Sequence, residues 1–389
     1  MIKNLFLILL ACIVLTGCKD IDLNKRNKII TFNLGNDPEI TSVKLSDLGF
    51  EDIEYVPLET NNQSLISRIN KIRIGDDFFL LQYLNSLLTF KKDGSFIAKI
   101  GKEGRGPDEY LLVHDVDIEK ESQNIYLVST WQRKFNVYTS SGLLLRTFKS
   151  PEDITSFIIT ESGILGYSLN TQGKILNSFN LIDTNGNIIK KFPNKYPWSL
   201  TQLGTYIFEH ENIFYRFNGN ILKKEVYSDT VFLWKDLSFK PHNIILSSGN
   251  RRISVNMRSK LHPDEIHTKY ITPRSLFEFG EFLYYEFTVG FDLYGFIGSK
   301  KRDFRVFINT EEGIINDLDG GPGIWPITVS HDNTLIAWVE ALKLKAHVAS
   351  ETFKKSSPKY PEKKKKLEKL ANSLKETDNP VLVMVRLKD

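Results

Sequence analysis

Three features of this 389-residue chain predict an all-β fold, a six-bladed β-propeller of four-stranded blades. Short apolar or alternating runs recur from residue 53 onward between turn residues, with hardly any amphipathic helix before residue 340, a pattern of strands rather than helices. A motif of one hydrophobic residue, three polar positions and a glycine appears as Phe90 to Gly94, Tyr138 to Gly142 and Ile182 to Gly186, with a looser copy at Ile308 to Gly313. The first three glycines lie 48 and 44 residues apart, and the spacing fits blades of about 40–45 residues, each with a tight hairpin where glycine supplies a positive φ. Finally, a spare strand at Ile53 to Leu58 precedes the first unit, while the last unit has only three strands. A ring of sheets must join its ends or leave bare edges, so the spare strand is expected to complete the last blade.

The strands follow in order. The first unit reads as strands near 69–74, 78–83, 87–90 and 96–100, and the second as strands near 113–118, 124–129, 135–138 and 143–148. A third unit covers 154–192, a fourth about 201–234 and a fifth about 276–317, all rich in Phe, Tyr and Ile, the residue types that fill the space between facing sheets. The sixth has strands near 327–330, 335–339 and 381–387. Two stretches fall outside the repeat, 241–272 and 341–379; without them residues 60–389 leave about 43 per blade for six blades, within the usual range. The second insert reads as helical: Pro361 suits a first helical position, and Leu367, Leu370, Ala371 and Leu374 form an apolar stripe, as expected of a helix docked on the ring.

The N-terminus reads as an address. Lys3 precedes a twelve-residue apolar run from Leu5 to Thr16, too short to span a bilayer and suited to a secretory signal. The run ends in Leu15-Thr16-Gly17-Cys18, which resembles the lipobox of bacterial lipoproteins. That resemblance implies a signal peptide over 1–17, lipidation at Cys18 and a membrane anchor, and Lys19, where an inner-membrane lipoprotein often has Asp, favours the outer membrane. Residues 18–50 read as a tether with one strand at 29–34, and residues 51–389 as the propeller. With Cys12 lost and Cys18 lipidated, the mature chain has no free thiol, which removes thiol catalysis and thiolate metal sites.

The mature chain also resembles the six-bladed propeller lipoproteins of Gram-negative bacteria, relatives of NHL-repeat propellers. The resemblance rests on Y-V-P-L-E-T (55–60), G-K-E-G-R-G-P-D-E-Y (101–110), G-G-P-G-I-W-P (320–326) and the C-terminal N-P-V-L-V-M-V. It implies that 101–110 links one blade's outermost strand to the next blade's innermost strand. It also leaves two functions open, since fold does not give function: a binding or scaffold module for a glycan, peptide or envelope protein, or an NHL-like hydrolase, lactonase or lyase.

Composition narrows the partners. Residues 351–389 carry 11 Lys/Arg against 6 Asp/Glu, which accounts for the whole net charge of +4 and leaves the body near neutral, so nucleic acid is not an expected partner. No cofactor or metal set is read. His262 and His267 in H-P-D-E-I-H are five apart with a proline between them, unlike a helical zinc pair. In H-D-V-D-I, Asp115 and Asp117 share a strand face with Glu119, where a hard cation would be the alternative to solvation. Gly101, Gly104 and Gly106 are followed by no helix and no G-K-[ST], and so read as a connection rather than a phosphate cradle. Loops between blades and between each blade's second and third strands should open together at the channel mouth. They bring Tyr83, Arg105, Tyr110, Trp131, Arg133 and Trp325 forward as candidate ligand-binding residues, types common at binding hot spots. Arg251-Arg252 mark the first insert as a loop of interest, and Lys363 to Lys366 read as a solvated helix face or one near anionic lipid.

Overall fold

A computed structural model of the protein describes residues 29–35, 40–200, 206–247 and 251–388; the expected signal and Cys18 lie outside the described residues. Six sheets form a ring, blade 1 at residues 71–100, then 115–149, 154–193, 212–246 and 272–308, with blade 6 completed by Phe50–Pro57. In blades 1 to 5 the chain passes from the innermost strand outward by antiparallel neighbours, and innermost strands of adjacent blades pack side by side around the axis.

The spare strand closes the ring. Phe50–Pro57 pairs antiparallel with Val381–Leu387, and Tyr55 stands opposite Val383. The repeat glycines do two jobs. Gly94, Gly142 and Gly186 all have φ between +86° and +88°, a conformation that favours glycine. A Cβ on Gly94 would also lie 2.1 Å from the Pro57 carbonyl oxygen, and one on Gly186 would lie 2.3 Å from that of Lys149. Each hairpin therefore abuts the outer strand of the preceding blade, which ties the glycine period to the packing of the ring.

Blades 1 to 3 lie where the spacing puts them, whereas blades 4 and 5 are displaced from the expected 201–234 and 276–317. The outer strand of blade 4, Ser238–Leu246, takes the first residues of the expected 241–272 insert. Pro241 speaks against a strand there, but it precedes the stretch paired on the outer side, so its missing N–H leaves no neighbour unsatisfied. The rest of the insert contains two short helices, Val255–Arg258 and Pro263–Lys269. His262 caps the second, and its ring accepts from the Asp264 amide.

Much of the expected 18–50 tether is instead part of the ring. Ile30–Asn33 adds a fifth, parallel strand to blade 4, Ile40 and Lys44 bridge to Phe307 and Ile315, and Phe32, Val43, Leu45, Leu48 and Phe50 are buried in the main core. The segment straps the outside of blades 4 and 5 before it becomes the last strand of blade 6. Bare strand edges there offer hydrogen bonds and apolar area that a free tether would forgo.

The C-terminal insert is helical, with helices Ala341–Ala349, Glu351–Lys355 and Pro361–Ser373. Leu344, Val348, Phe353, Leu367 and Ala371 pack with Val381 and against Tyr55. Lys363 pairs with Asp52, and Lys364 donates to the Lys354 and Ser356 carbonyls, so half of the basic run is engaged by the protein.

Leu382, fully buried in the closing sheet, tests the closure. Leu382→Ala should lower stability by about 2–5 kcal/mol, read by chemical denaturation, with hydrogen exchange accelerated first in Phe50–Pro57 and Val381–Leu387. Unchanged stability would contradict the clasp.

Candidate functional site

Alternation along the innermost strands carries charge into the lumen. Blade 1 supplies Lys71 and Arg73, and blade 2 supplies Asp115 and Asp117 from H-D-V-D-I. Asp115 accepts from Lys71 Nζ at 2.6 Å and from the Phe157 amide at 2.9 Å. Asp117 accepts a paired hydrogen bond from Arg216 of blade 4 at 2.9 and 2.8 Å and one from the Ile159 amide at 2.8 Å, with Arg73 at 3.6 Å. Burial works to raise the Asp117 carboxyl, but the Arg216 charge and hydrogen bonds, Arg73 and the Ile159 amide outweigh it and hold it below the usual carboxylate range. Arg216 also donates to the Ile159 carbonyl at 2.9 Å, so blades 1, 2, 3 and 4 are tied across the lumen. Both aspartates are spent on the protein.

A second group lies in blades 4 and 5. Glu286 accepts from Trp325 Nε1 at 2.6 Å and from the Tyr284 hydroxyl at 3.1 Å, and Arg274 sits 3.3 Å away. Burial raises the Glu286 carboxyl despite these partners. His210, on the loop entering blade 4, is pushed down to about 4 by burial and then by the Lys71 and Arg274 charges, so its imidazole is neutral at pH 7. At the other end, a cleft of about 230 Å³ opens between blades 2 and 3, lined by Glu119, Glu121, Tyr126, Thr160, Glu161 and Thr184 among others.

Around the mouth the chemistry is different. The turns between second and third strands of blades 1, 2, 3 and 5 expose Leu84, Trp131, Leu176 and Phe291 at 58%, 74%, 83% and 94%. Trp131 and Phe291 stand on opposite blades of the six, and each is backed by a histidine. His114 accepts from the Thr130 amide at 3.2 Å and packs edge-on to Trp131 at 5.7 Å. His267 packs edge-on to Phe291 at 5.0 Å, and its carbonyl accepts from Gly290 at 2.9 Å. The first insert therefore braces one of the two aromatics.

A family described as a domain of unknown function, DUF4934, matches residues 28–386. The chain belongs to this family. No curated protein matches it. Among solved structures, this DUF4934 chain is similar to an exported protein of Bacteroides fragilis, at 20% identity and a TM-score of 0.72 over 93% of this chain and all of that one. It is also similar to a DUF4221 family member from Bacteroides vulgatus, at 12% identity and a TM-score of 0.50 over 87% of this chain and 97% of the other. These likenesses show the shared fold.

The DUF4934 ring separates the six residues singled out from the sequence. Trp131 is at the tip of a mouth turn, and Arg133 beside it pairs with Asp153 at 3.0 Å and donates to the Pro151 carbonyl at 2.8 Å. Arg105 is exposed in its loop. Tyr83 is half-buried and accepts from Ser67 at 3.2 Å. Trp325 points its indole N–H at Glu286. Tyr110 is fully enclosed between blades 1 and 2, its hydroxyl on the Asn85 carbonyl. The glycine-rich loop closes on itself: Glu109 accepts from the Gly106 amide at 2.9 Å and pairs with Lys102 at 2.8 Å, so an internal carboxylate takes the place an external anion would need. Phe291 went unread although the Gly-Phe turn was a signal, since large apolar residues are unusual at hairpin tips.

Asp117→Asn leaves Arg216 and Arg73 without their shared anion, and should cost about 3 kcal/mol at pH 7, the low end for a broken buried pair because Arg216 is partly open to the lumen. Because the folded Asp117 titrates below its unfolded value, its contribution is complete above about pH 4 and is lost as pH falls further. Denaturation of parent and variant should therefore converge in acid. Equal stability at pH 7 would show that the lumen pair is not structural.

Proposed function

We infer that this protein is an exported, lipid-anchored binding module whose ligand, a partner protein, peptide or glycan, lies across the channel mouth between Trp131 and Phe291. One contrast carries the reading. The lumen carboxylates are committed to internal partners, whereas the aromatics on opposite blades are exposed and held by histidine packing. Exposed aromatics give large contact area at low entropic cost, as at recognition surfaces. Export and anchoring rest on the signal sequence and on Cys18, and the likeness to an exported Bacteroides propeller is consistent with them.

Photoreactive residues placed at Trp131, Leu176 and Phe291 should cross-link in cells to one discrete ligand. Cross-linking from Leu176 should vanish in a Trp131→Asp, Phe291→Asp variant whose melting temperature is unchanged. A photoreactive residue at Leu143, exposed on a hairpin away from the mouth, is the control. The same adduct from Leu143, or no adduct from the mouth, would rule the reading out.

A further inference from the structure

The place where the chain enters the ring sets which side faces its anchor. Ile30–Asn33 runs parallel to Ser238–Leu246, with Ile30 beside Asn243. Traced upstream from Ile30, the chain direction therefore leads back toward Ser238 and the 235–238 turn. That turn touches blade 3. Lys190 Nζ donates to the Leu237 carbonyl at 2.9 Å, and Phe192 packs on Phe239 and Trp234. The outer strand of blade 3, Ile188–Pro193, is a sheet edge, and Ile188, Ile189, Lys190 and Lys191 are all exposed.

With exposed Lys195, Lys235 and Lys240, this rim presents five lysines and two isoleucines, against Asp236 and the Glu152 that pairs with Lys191. Several basic groups elsewhere on the surface are matched. Lys301 and Arg302 pair with Glu281, Lys300 pairs with Glu278, and Lys363 pairs with Asp52. Residues 19–29 add four basic against two acidic side chains. Those eleven residues reach at most roughly 40 Å, so an anchored Cys18 keeps the entry point of the chain at Ile30 within that distance of the bilayer.

We propose that the rim of blades 3 and 4 rests on the anionic lipid surface that holds the Cys18 anchor, an inference that depends on the lipid-anchor reading above. Lysines over a negative headgroup layer gain attraction that salt screens, and exposed isoleucines suit the interface. The ring then stands edge-on, with blade 1 turned away from the bilayer and the mouth left open at the side.

The test uses the lipidated full-length protein in phosphatidylcholine vesicles containing phosphatidylglycerol and a lipid-borne quencher. Ile189→Cys on blade 3 and Lys99→Cys on the outer strand of blade 1 each give a single dye site, since Cys12 and Cys18 are the only natural cysteines. The dye at 189 should be quenched several-fold more than the dye at 99. High salt, or the substitutions Lys190→Glu, Lys191→Glu and Lys240→Glu, should remove the difference while the fold is kept by circular dichroism. Equal quenching at both positions, with the N-terminal peptide shown by mass to carry lipid, overturns the orientation alone. An N-terminal peptide without lipid overturns the anchor reading and the proposal together.

Discussion

The structure depends on the hydrogen bonds between Phe50–Pro57 and Val381–Leu387. Six sheets packed face to face around an axis are held as a ring when the last blade takes strands from both ends of the chain, because the first blade then cannot part from the last without breaking that sheet. Here the closing contact joins residues more than 300 positions apart, Tyr55 with Val383, so it is the contact with the largest loop-closure cost. The strap continues the same logic outward, covering edges of blades 4 and 5 with Ile30–Asn33 and the bridges at Ile40 and Lys44.

Within the closed ring, polar chemistry divides by location. In the lumen, Asp115 and Asp117 are neutralised by Lys71, Arg73 and Arg216 from other blades. Such pairs fix which strands meet more than they add net stability, because desolvation offsets much of the attraction. At the mouth, by contrast, Trp131 and Phe291 expose most of their apolar area. Histidines serve as props there, with His114 and His267 packed against those rings. The seven histidines make no metal pattern in the sequence; five of them, His114, His242, His262, His267 and His347, have local structural work.

Strands, hairpins and closure were legible wherever strand alternation and turn glycines agreed, as in blades 1 to 3. Blade 4 was misplaced because the long connection at 194–211 breaks the period and Pro241 masks an outer strand. The strap beyond its expected strand at 29–34 was read as a tether because its buried residues, Val43, Leu45 and Leu48, have no sustained period; each is buried by an edge supplied from elsewhere in the chain. The site was legible in part. Tyr110 and Trp131 are both aromatics in loops, yet one fills an inter-blade core and the other stands in solvent, a distinction set by neighbours remote in sequence. The Arg216 to Asp117 pair, 99 residues apart, leaves no local signature.

Closure can be measured directly with a cysteine pair at Glu54 and Met384, which face each other in the register of the closing sheet. In a Cys18→Ser chain lacking the signal, opposed strand positions at about 5 Å fall within disulfide range. The clasped ring predicts rapid, near-complete oxidation to an intramolecular disulfide and a higher melting temperature, with no such bond from Glu54 and Ile336, one strand further in. Failure of the first pair to close while the protein remains folded would contradict the ring and the mouth built upon it.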